Sequence, residues 1–566
     1  MVKKVVLFIA TIASMTIFVV TGILLLRGMG NYSTVMAFSD NETSIIFEDK
    51  YIEGYEKPII EEGKILLPIN FLKDYIYSDI EHSNEYDRLY VNIDKPIFSL
   101  ETEELTNRIK DGIKLNFLTE KIENISYLNI IGLEKIFNIK TEYNKENNVL
   151  IIDRIKEMAY TGQVKKGTNL RLSKSPIGEK IYKLEKNEKA VVFEKDGKWV
   201  KARTNNGYIG YALQKNLEIS EENIEINYKL NEIREAQKTN ERINLVWTHI
   251  SKYSPDLSKE QVIEGLDIIS PTWFSISSDN GFLVNNGDIK YSNDAHEKGY
   301  RVWGLIDNSF DKDLTKGLLL DEKAQENVIN QILVYASIYN LDGINIDFEN
   351  VYYENKDNFT LFVDKLTKAL KEQNLVVSID MTVPSSSETW SKFYDREKLG
   401  QIVDYCMVMT YDEHWSSSPI SGSVASIEWV EKGLQNTLKY IPNEKLIMGI
   451  PFYTREWEET KDNNGRVKVK SKAFSMEGVN NIIKENNSQV IWLEETGQHY
   501  TEYIKDGKKY RIWLEDEKSI ELKSSLVHKY DLAGVASWRK GFETENIWPV
   551  LNRILKENSS KLVKNK

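Results

Sequence analysis

The sequence holds one cysteine, Cys406, in 566 residues. An intramolecular disulfide is therefore impossible, and metal sites built on paired thiols are excluded. Stability has to come from packing, which a chain long enough for several cores can supply without covalent staples. Positive charge is also short: 74 Lys and Arg stand against 86 Asp and Glu, a net charge of −12. That balance disfavours general nucleic-acid binding, because a phosphate backbone is held mainly by Lys and Arg. A composition of 41% apolar, 28% charged and 11% aromatic residues lacks both the polar bias of a disordered chain and the apolar excess of a multi-span membrane protein. Length alone points to about three or four domains.

What is present begins with an almost unbroken apolar run from Val5 to Leu26, preceded by Lys3 and Lys4 and followed by Arg27. At about 1.5 Å per residue it reaches roughly 30 Å, the thickness of a bilayer core. Cleaved signal peptides have shorter apolar stretches of about 7–15 residues, and no small-x-small site directly follows Leu26. Residues 1–30 are thus expected to form a cytoplasmic N-terminus and a membrane anchor through residues 5–26, with the remainder outside the cell. Cleavage would instead release a secreted protein.

From about residue 41 to 155 a weak repeat alternates apolar strands with one short amphipathic helix. LLPINFLKDYI from Leu66 leads to RLYVNID ending at Asp94, and YLNIIGLEKIF from Tyr127 leads to NVLIID ending at Asp153. This predicts a small α+β stalk-like domain, a structural spacer. It resembles the copper-amine-oxidase N-terminal-like modules, but it has no metal-ligand cluster and no copper is implied. Residues 156–217 change to short alternating strands with Gly-containing turns, the pattern of a small all-β barrel. They resemble a bacterial SH3-like domain in GTNLRLSKS (Gly167–Ser175), DGKWVKAR (Asp196–Arg203) and GYIGYA (Gly207–Ala212). This segment has 14 Lys and Arg against 6 Asp and Glu. Such a surplus would draw an exported module to an anionic cell wall; the alternative is a solvated spacer. Residues 218–239 are charged and read as a linker.

From Arg242 onward eight apolar runs alternate with turn or helical patterns: INLVWTHI, LDIISPTWF, RVWGLI, GINIDFE, VVSIDMTV, YCMVMTYD, LIMGIPFY and AGVASW. Eight strands with crossover helices predict an α/β fold, a (β/α)8 TIM barrel over residues 240–556. The Gly-rich turn of a nucleotide-binding open sheet is missing after the first run. Chemistry in such barrels sits at the carboxyl ends of the strands. There the fourth run carries Asn345, Asp347 and Glu349 at every second position, on one face and about 6.6 Å apart. Glu349 stands nearest the mouth. A metal site is disfavoured because this strand has no histidine and one position is an amide, so no metal or cofactor is expected.

This strand resembles the signature D-G-x-D-x-D-x-E of glycoside hydrolase family 18. MTYD (Met409–Asp412), GIPFY (Gly449–Tyr453) and Trp538 fall on strands six, seven and eight in the family's order. MTYDEHW, VASIEWVEKGL and the exported architecture are most similar to the spore cortex-lytic N-acetylglucosaminidases. The resemblance implies substrate-assisted retention, an exception to the two-carboxylate scheme. Glu349 would protonate the glycosidic oxygen, and Asp347 would hold the acetamido N–H and stabilise the oxazolinium intermediate. Tyr411 would bond the acetamido oxygen, Asp412 would contact the sugar, and Trp538 would form an apolar floor. Met409, Trp273, Trp415 and Tyr453 are further substrate-binding candidates; Trp273 and Trp247 stand at strand ends, where a ring can line a subsite or pack into the barrel wall, and His414 follows the MTYD motif beside Trp415. Asn345 replaces the family's Asp. Its NH2 is expected to donate to Asp347, in imitation of a protonated acid. Residues 455–511 resemble a small α+β insertion that deepens the cleft in some family members.

Three functions compete. The first is cleavage of peptidoglycan or spore cortex, suggested by the anchor and the basic module. The second keeps the chemistry but acts on chitin or another glycan, although no separate chitin-binding module is visible. The third is a non-catalytic lectin, suggested by Asn345 and opposed by intact Glu349, Asp347 and Tyr411.

Overall fold

Eight parallel strands close on themselves in the C-terminal half of the chain. In the computed structural model they are β1 (Ile243–Thr248), β2 (Ile268–Ile276), β3 (Arg301–Asp307), β4 (Gly343–Asp347), β5 (Val376–Thr382), β6 (Tyr405–Met409), β7 (Leu446–Pro451) and β8 (Gly534–Trp538). Each pairs with its neighbours in order, and β1 pairs with both β2 and β8, which closes the ring. The structure describes residues 15, 38, 42–93, 112–155, 158–223, 242–462 and 464–557. The expected anchor at residues 5–26 lies outside them apart from Met15. Among the described residues no helix is long and apolar enough to cross a membrane.

The strand period of two sorts each strand into an inner and an outer face. Inside, Leu245, Trp247, Trp303, Leu305, Met407, Ile447 and Ala536 pack into one cluster, with Tyr411 and Trp538 against it. Outside, the residues meet helices such as Lys356–Lys371, which buries Phe359, Phe362, Val363, Leu366 and Leu370. Helix starts are fixed locally: Asp288, Asp311 and Asp321 accept backbone N–H groups at the first turns that follow them. Gly343 opens β4 because nothing larger fits. An added Cβ would lie 2.6 Å from the Val376 carbonyl and 2.8 Å from the Trp303 ring.

Between β7 and β8 the insertion is a five-stranded antiparallel sheet with one helix, Met476–Asn486. Its first strand, Tyr453–Lys461, starts two residues before the expected boundary, and its last, Lys508–Trp513, ends two residues after it. The described residues divide into two compact units, and the barrel unit also takes in residues 88–118. These form an antiparallel hairpin, Arg88–Ile93 with Ile113–Leu118. Its Asn116 amide donates to the Leu283 carbonyl at 2.6 Å, and Asn285 donates back to the Asn116 carbonyl at 2.8 Å. The expected stalk therefore does not keep this stretch. Side-chain amides that match backbone groups around β2 decide where it docks, and strand alternation alone does not encode them.

In the other unit only the opening runs of the expected repeat come together. Lys64–Pro68 from the first copy pairs antiparallel with Ile125–Asn129 from the second. Each strand is followed by a short helical segment. The all-β region is a seven-stranded sheet whose last strand, Leu217–Asn223, takes up the first residues expected of the linker. It also bonds to the stalk-like segment: buried Arg203 makes a bidentate pair with Asp153 at 2.7 and 2.6 Å. Two parallel N–H···O bonds of this kind fix relative orientation as well as adding energy.

Candidate active site

Strand β4 points its chemistry inward because its other face is claimed. Phe348 is fully buried and stacks on Phe359 and Phe362, at 5.6 and 5.8 Å. The Tyr394 hydroxyl donates to the Phe348 carbonyl at 2.9 Å. With Phe348 held outside, alternation turns Asp347 and Glu349 toward the barrel mouth. The main chain of Glu349 is clamped at both ends. The Asn308 amide donates to the Glu349 carbonyl at 2.7 Å, and its oxygen accepts the Glu349 N–H at 3.1 Å. Glu349 is only partly buried, so a ligand can reach it, whereas Asp347 is 8% exposed.

Burial, and then the negative charge of Asp412, push the Glu349 carboxyl up to about 7. Such a group is protonated over much of the neutral range and can give its proton away. Asp347 is also pushed well above the usual carboxylate range, first by burial and then by Glu349, Asp380 and Asp307. Its Oδ1 is buried and makes no hydrogen bond with the described residues. An N–H donor brought by a ligand would satisfy that atom, and a buried unpaired acceptor is costly until it is met.

Asp412 follows β6 in the left-handed region, φ +62°, a conformation that Asp tolerates better than most residues. It accepts the Tyr453 hydroxyl at 2.5 Å, and Arg455 stands 3.9 Å away. The Tyr411 and Tyr453 rings meet edge to face at 6.2 Å. Burial raises both phenols, so they remain neutral donors. Met409 ends β6 with 8% exposure. Trp538 ends β8, half-buried, with its ring 6.1 Å from that of Trp247. The ends of β4, β6, β7 and β8 thus gather Asn345, Asp347, Glu349, Met409, Tyr411, Asp412, Tyr453 and Trp538. Trp415 lies on the loop after β6, half-exposed, and donates to the Ser417 hydroxyl.

Two expectations need correction. Trp273 is fully buried among Phe274, Tyr291 and Tyr339, and its N–H donates to Ser254 at 3.1 Å, so it belongs to the barrel wall and cannot touch a substrate. Position at a strand end did not reveal which way the ring pointed. Asn345 does not donate to Asp347. Its oxygen accepts the Trp247 indole N–H at 2.8 Å and the Ser270 hydroxyl at 3.3 Å, and its NH2 donates to Asp380 at 2.9 Å.

Asp307, Asn308 and Asp380 are functional neighbours that sequence reading missed. They lie at the carboxyl ends of β3 and β5, a position that marks candidates in this fold. IDNS and SIDM carried that signal without a family motif to draw the eye.

Residues 301–542 match Glycosyl hydrolases family 18. The barrel is a glycosyl hydrolase family 18 domain. Residues 166–218 match Bacterial SH3 domain. The family 18 domain is similar to the uncharacterized glycosylase YvbX of Bacillus subtilis (strain 168), 29% identical over 287 residues, covering 48% of this chain and 80% of that protein. It is also similar to the cortical fragment-lytic enzyme of Bacillus anthracis, 28% identical over 263 residues, covering 45% and 59% of the two chains. Among solved structures, the spore cortex-lytic enzyme SleL of Bacillus megaterium QM B1551 shares the fold, with a TM-score of 0.50 and 22% identity over 56% of this chain and 74% of that one. With these relatives and its own carboxyl site, the family 18 domain is a glycosidase.

Proposed function

We propose that the family 18 domain hydrolyses the β-1,4 linkage after an N-acetylglucosamine unit in peptidoglycan or spore cortex, with the sugar's own acetamide as nucleophile. The observation that carries this reading is the pairing of a partly accessible acid, Glu349 at about 7, with a buried and unbonded acceptor, Asp347 Oδ1. Glu349 gives its proton to the glycosidic oxygen as the bond to the anomeric carbon breaks. The acetamido carbonyl attacks that carbon from the other face, its N–H donating to Asp347. The charge of Asp347 stabilises the cyclic cation, and Tyr411 steadies the acetamido oxygen. Water then opens the ring, with Glu349 taking its proton back. Trp538 offers an apolar face on which a sugar ring stacks.

The wall as substrate is supported by two relatives that carry cortex-lytic names, and by the basic character of the SH3-like segment, which would hold the enzyme against an anionic polymer. An apolar run at residues 5–26 would keep it at the membrane, facing outward. The test is digestion of purified peptidoglycan and of chitin oligomers by wild type and Glu349→Gln, with the new reducing ends identified by mass spectrometry. N-acetylglucosamine ends from peptidoglycan support the proposal. Ends from chitin alone move the substrate to a different polymer, and binding without cleavage makes the domain a lectin.

A further inference from the structure

Across the mouth from the carboxyl groups stand two basic side chains that the proposed reaction does not use. Strands β4 and β8 face each other across the eight-membered ring. Glu349 follows β4, whereas Trp538 ends β8, with Arg539 directly after it and His249 just beyond the neighbouring β1. Main-chain bonds fix this corner. The Phe452 N–H donates to the Trp538 carbonyl at 2.7 Å, and the Lys540 N–H donates to the Trp247 carbonyl at 2.9 Å. Leu245 and Trp247 face the barrel interior, and Thr248 meets the Tyr291 hydroxyl of an outer helix, so strand alternation turns the exposed His249 toward the mouth.

Arg539 is partly buried, and its guanidinium lies over the Phe542 ring at 4.0 Å. The ring covers one face of the group and leaves its N–H edge open. Among the described residues, no carboxylate pairs with Arg539 or acts on its ionisation, which burial lowers. Burial thus costs this cation part of its hydration, and no internal anion replaces it. The nearby cations differ: Lys540 pairs with Glu260, and Arg455 stands 3.9 Å from Asp412. His249 is lowered by burial and then by the positive charge of Arg539, which sets the two side chains near each other. The imidazole is therefore neutral at pH 7 and can add an N–H donor.

Resting on the proposed function, we infer that Arg539, with His249 beside it, is a specificity site that takes a carboxylate carried by the wall glycan. The open guanidinium edge gives two parallel N–H bonds to the two carboxylate oxygens, a geometry that an ammonium group cannot match. In a wall polymer that carboxylate is the lactyl group of a peptide-free muramic acid or belongs to the stem peptide attached there; chitin has neither. A glycan that crosses the mouth over Trp538, with its linkage at Glu349, brings a further unit to the rim at β8 and β1. The site reads the substrate and takes no part in proton transfer.

Three glycans of equal length test this on the full chain. One is a peptide-free strand of alternating N-acetylglucosamine and N-acetylmuramic acid, the second its lactyl methylamide, and the third the same strand with stem peptides. Wild type should favour a carboxylate-bearing strand over the methylamide by about 10-fold in kcat/KM, and which of the two it favours identifies the source of the carboxylate. Arg539→Gln should abolish that ratio, and Arg539→Lys should keep only part of it. Arg553→Gln removes the same charge from the C-terminal helical segment and should leave the ratio as in wild type. Calorimetry in the Glu349→Gln background should show the same preference in affinity, lost when Arg539→Gln is added. No preference over the methylamide for either strand, or one that survives Arg539→Gln, would overturn the inference. Cleavage without preference removes this site and leaves the proposed function standing, whereas preferential binding without cleavage keeps the site and removes the proposed function.

Discussion

Replacing Glu349 by Gln should stabilise the protein, and only above weakly acid pH. The carboxyl sits at about 7 in the folded protein against an ordinary 4.5. Between those values the folded chain binds the proton more tightly than the unfolded chain does, so its contribution to stability falls as pH rises through the window. Above about pH 7 the folded state must carry a charge in a place that disfavours it. The full difference corresponds to about 3.4 kcal/mol. Water reaches the partly buried side chain, so about 1–2 kcal/mol is the expected gain. Gln keeps the shape, and the Asn308 bonds go to the main chain, so the clamp survives. Thermal unfolding followed by circular dichroism should place the variant about 2–4 °C above wild type at pH 8. At pH 4.5 the two should coincide. Equal differences at both pH values, or a variant less stable at pH 8, would refute the assigned ionisation.

Three other outcomes follow from the same geometry. Asp412→Asn removes a negative charge that raises Glu349, so the alkaline limb of kcat/KM should move to lower pH, and a pH-rate profile checks it. Asn308→Ala frees both ends of the Glu349 main chain; kcat should fall about 10- to 100-fold with a stability loss of about 1–3 kcal/mol, measured by steady-state kinetics and urea unfolding. Trp538→Ala should raise KM and lower kcat, whereas Trp273→Phe, deep in the wall, should change melting temperature and leave KM within about twofold.

The barrel was legible in the sequence because its physics is local. Eight apolar runs of strand length, with crossover patterns between them, admit few topologies, and the row Asn345, Asp347, Glu349 follows from a period of two. What escaped depends on which partner a side chain meets across strands. Trp273 and Trp538 both stand toward strand ends, yet one packs into the wall and the other opens to the cleft. Asn345 was assigned to its neighbour along the strand, but the donors Trp247 and Ser270, far away in sequence, turn its amide toward Asp380. The hairpin at residues 88–118 joins the barrel unit through Asn116 and Asn285, a pair that no periodicity marks.

The central claim, proton donation by Glu349 with attack by the substrate's own amide, is tested most directly by leaving-group dependence. Turnover of N-acetylglucosaminides with a poor alkyl leaving group and with a highly acidic aryl one should be compared in wild type and Glu349→Gln. The account predicts a loss of about 1000-fold or more for the alkyl group and only a small loss for the aryl group, which departs without a proton. Equal losses on both substrates, or full activity of Glu349→Gln on the alkyl one, would contradict it.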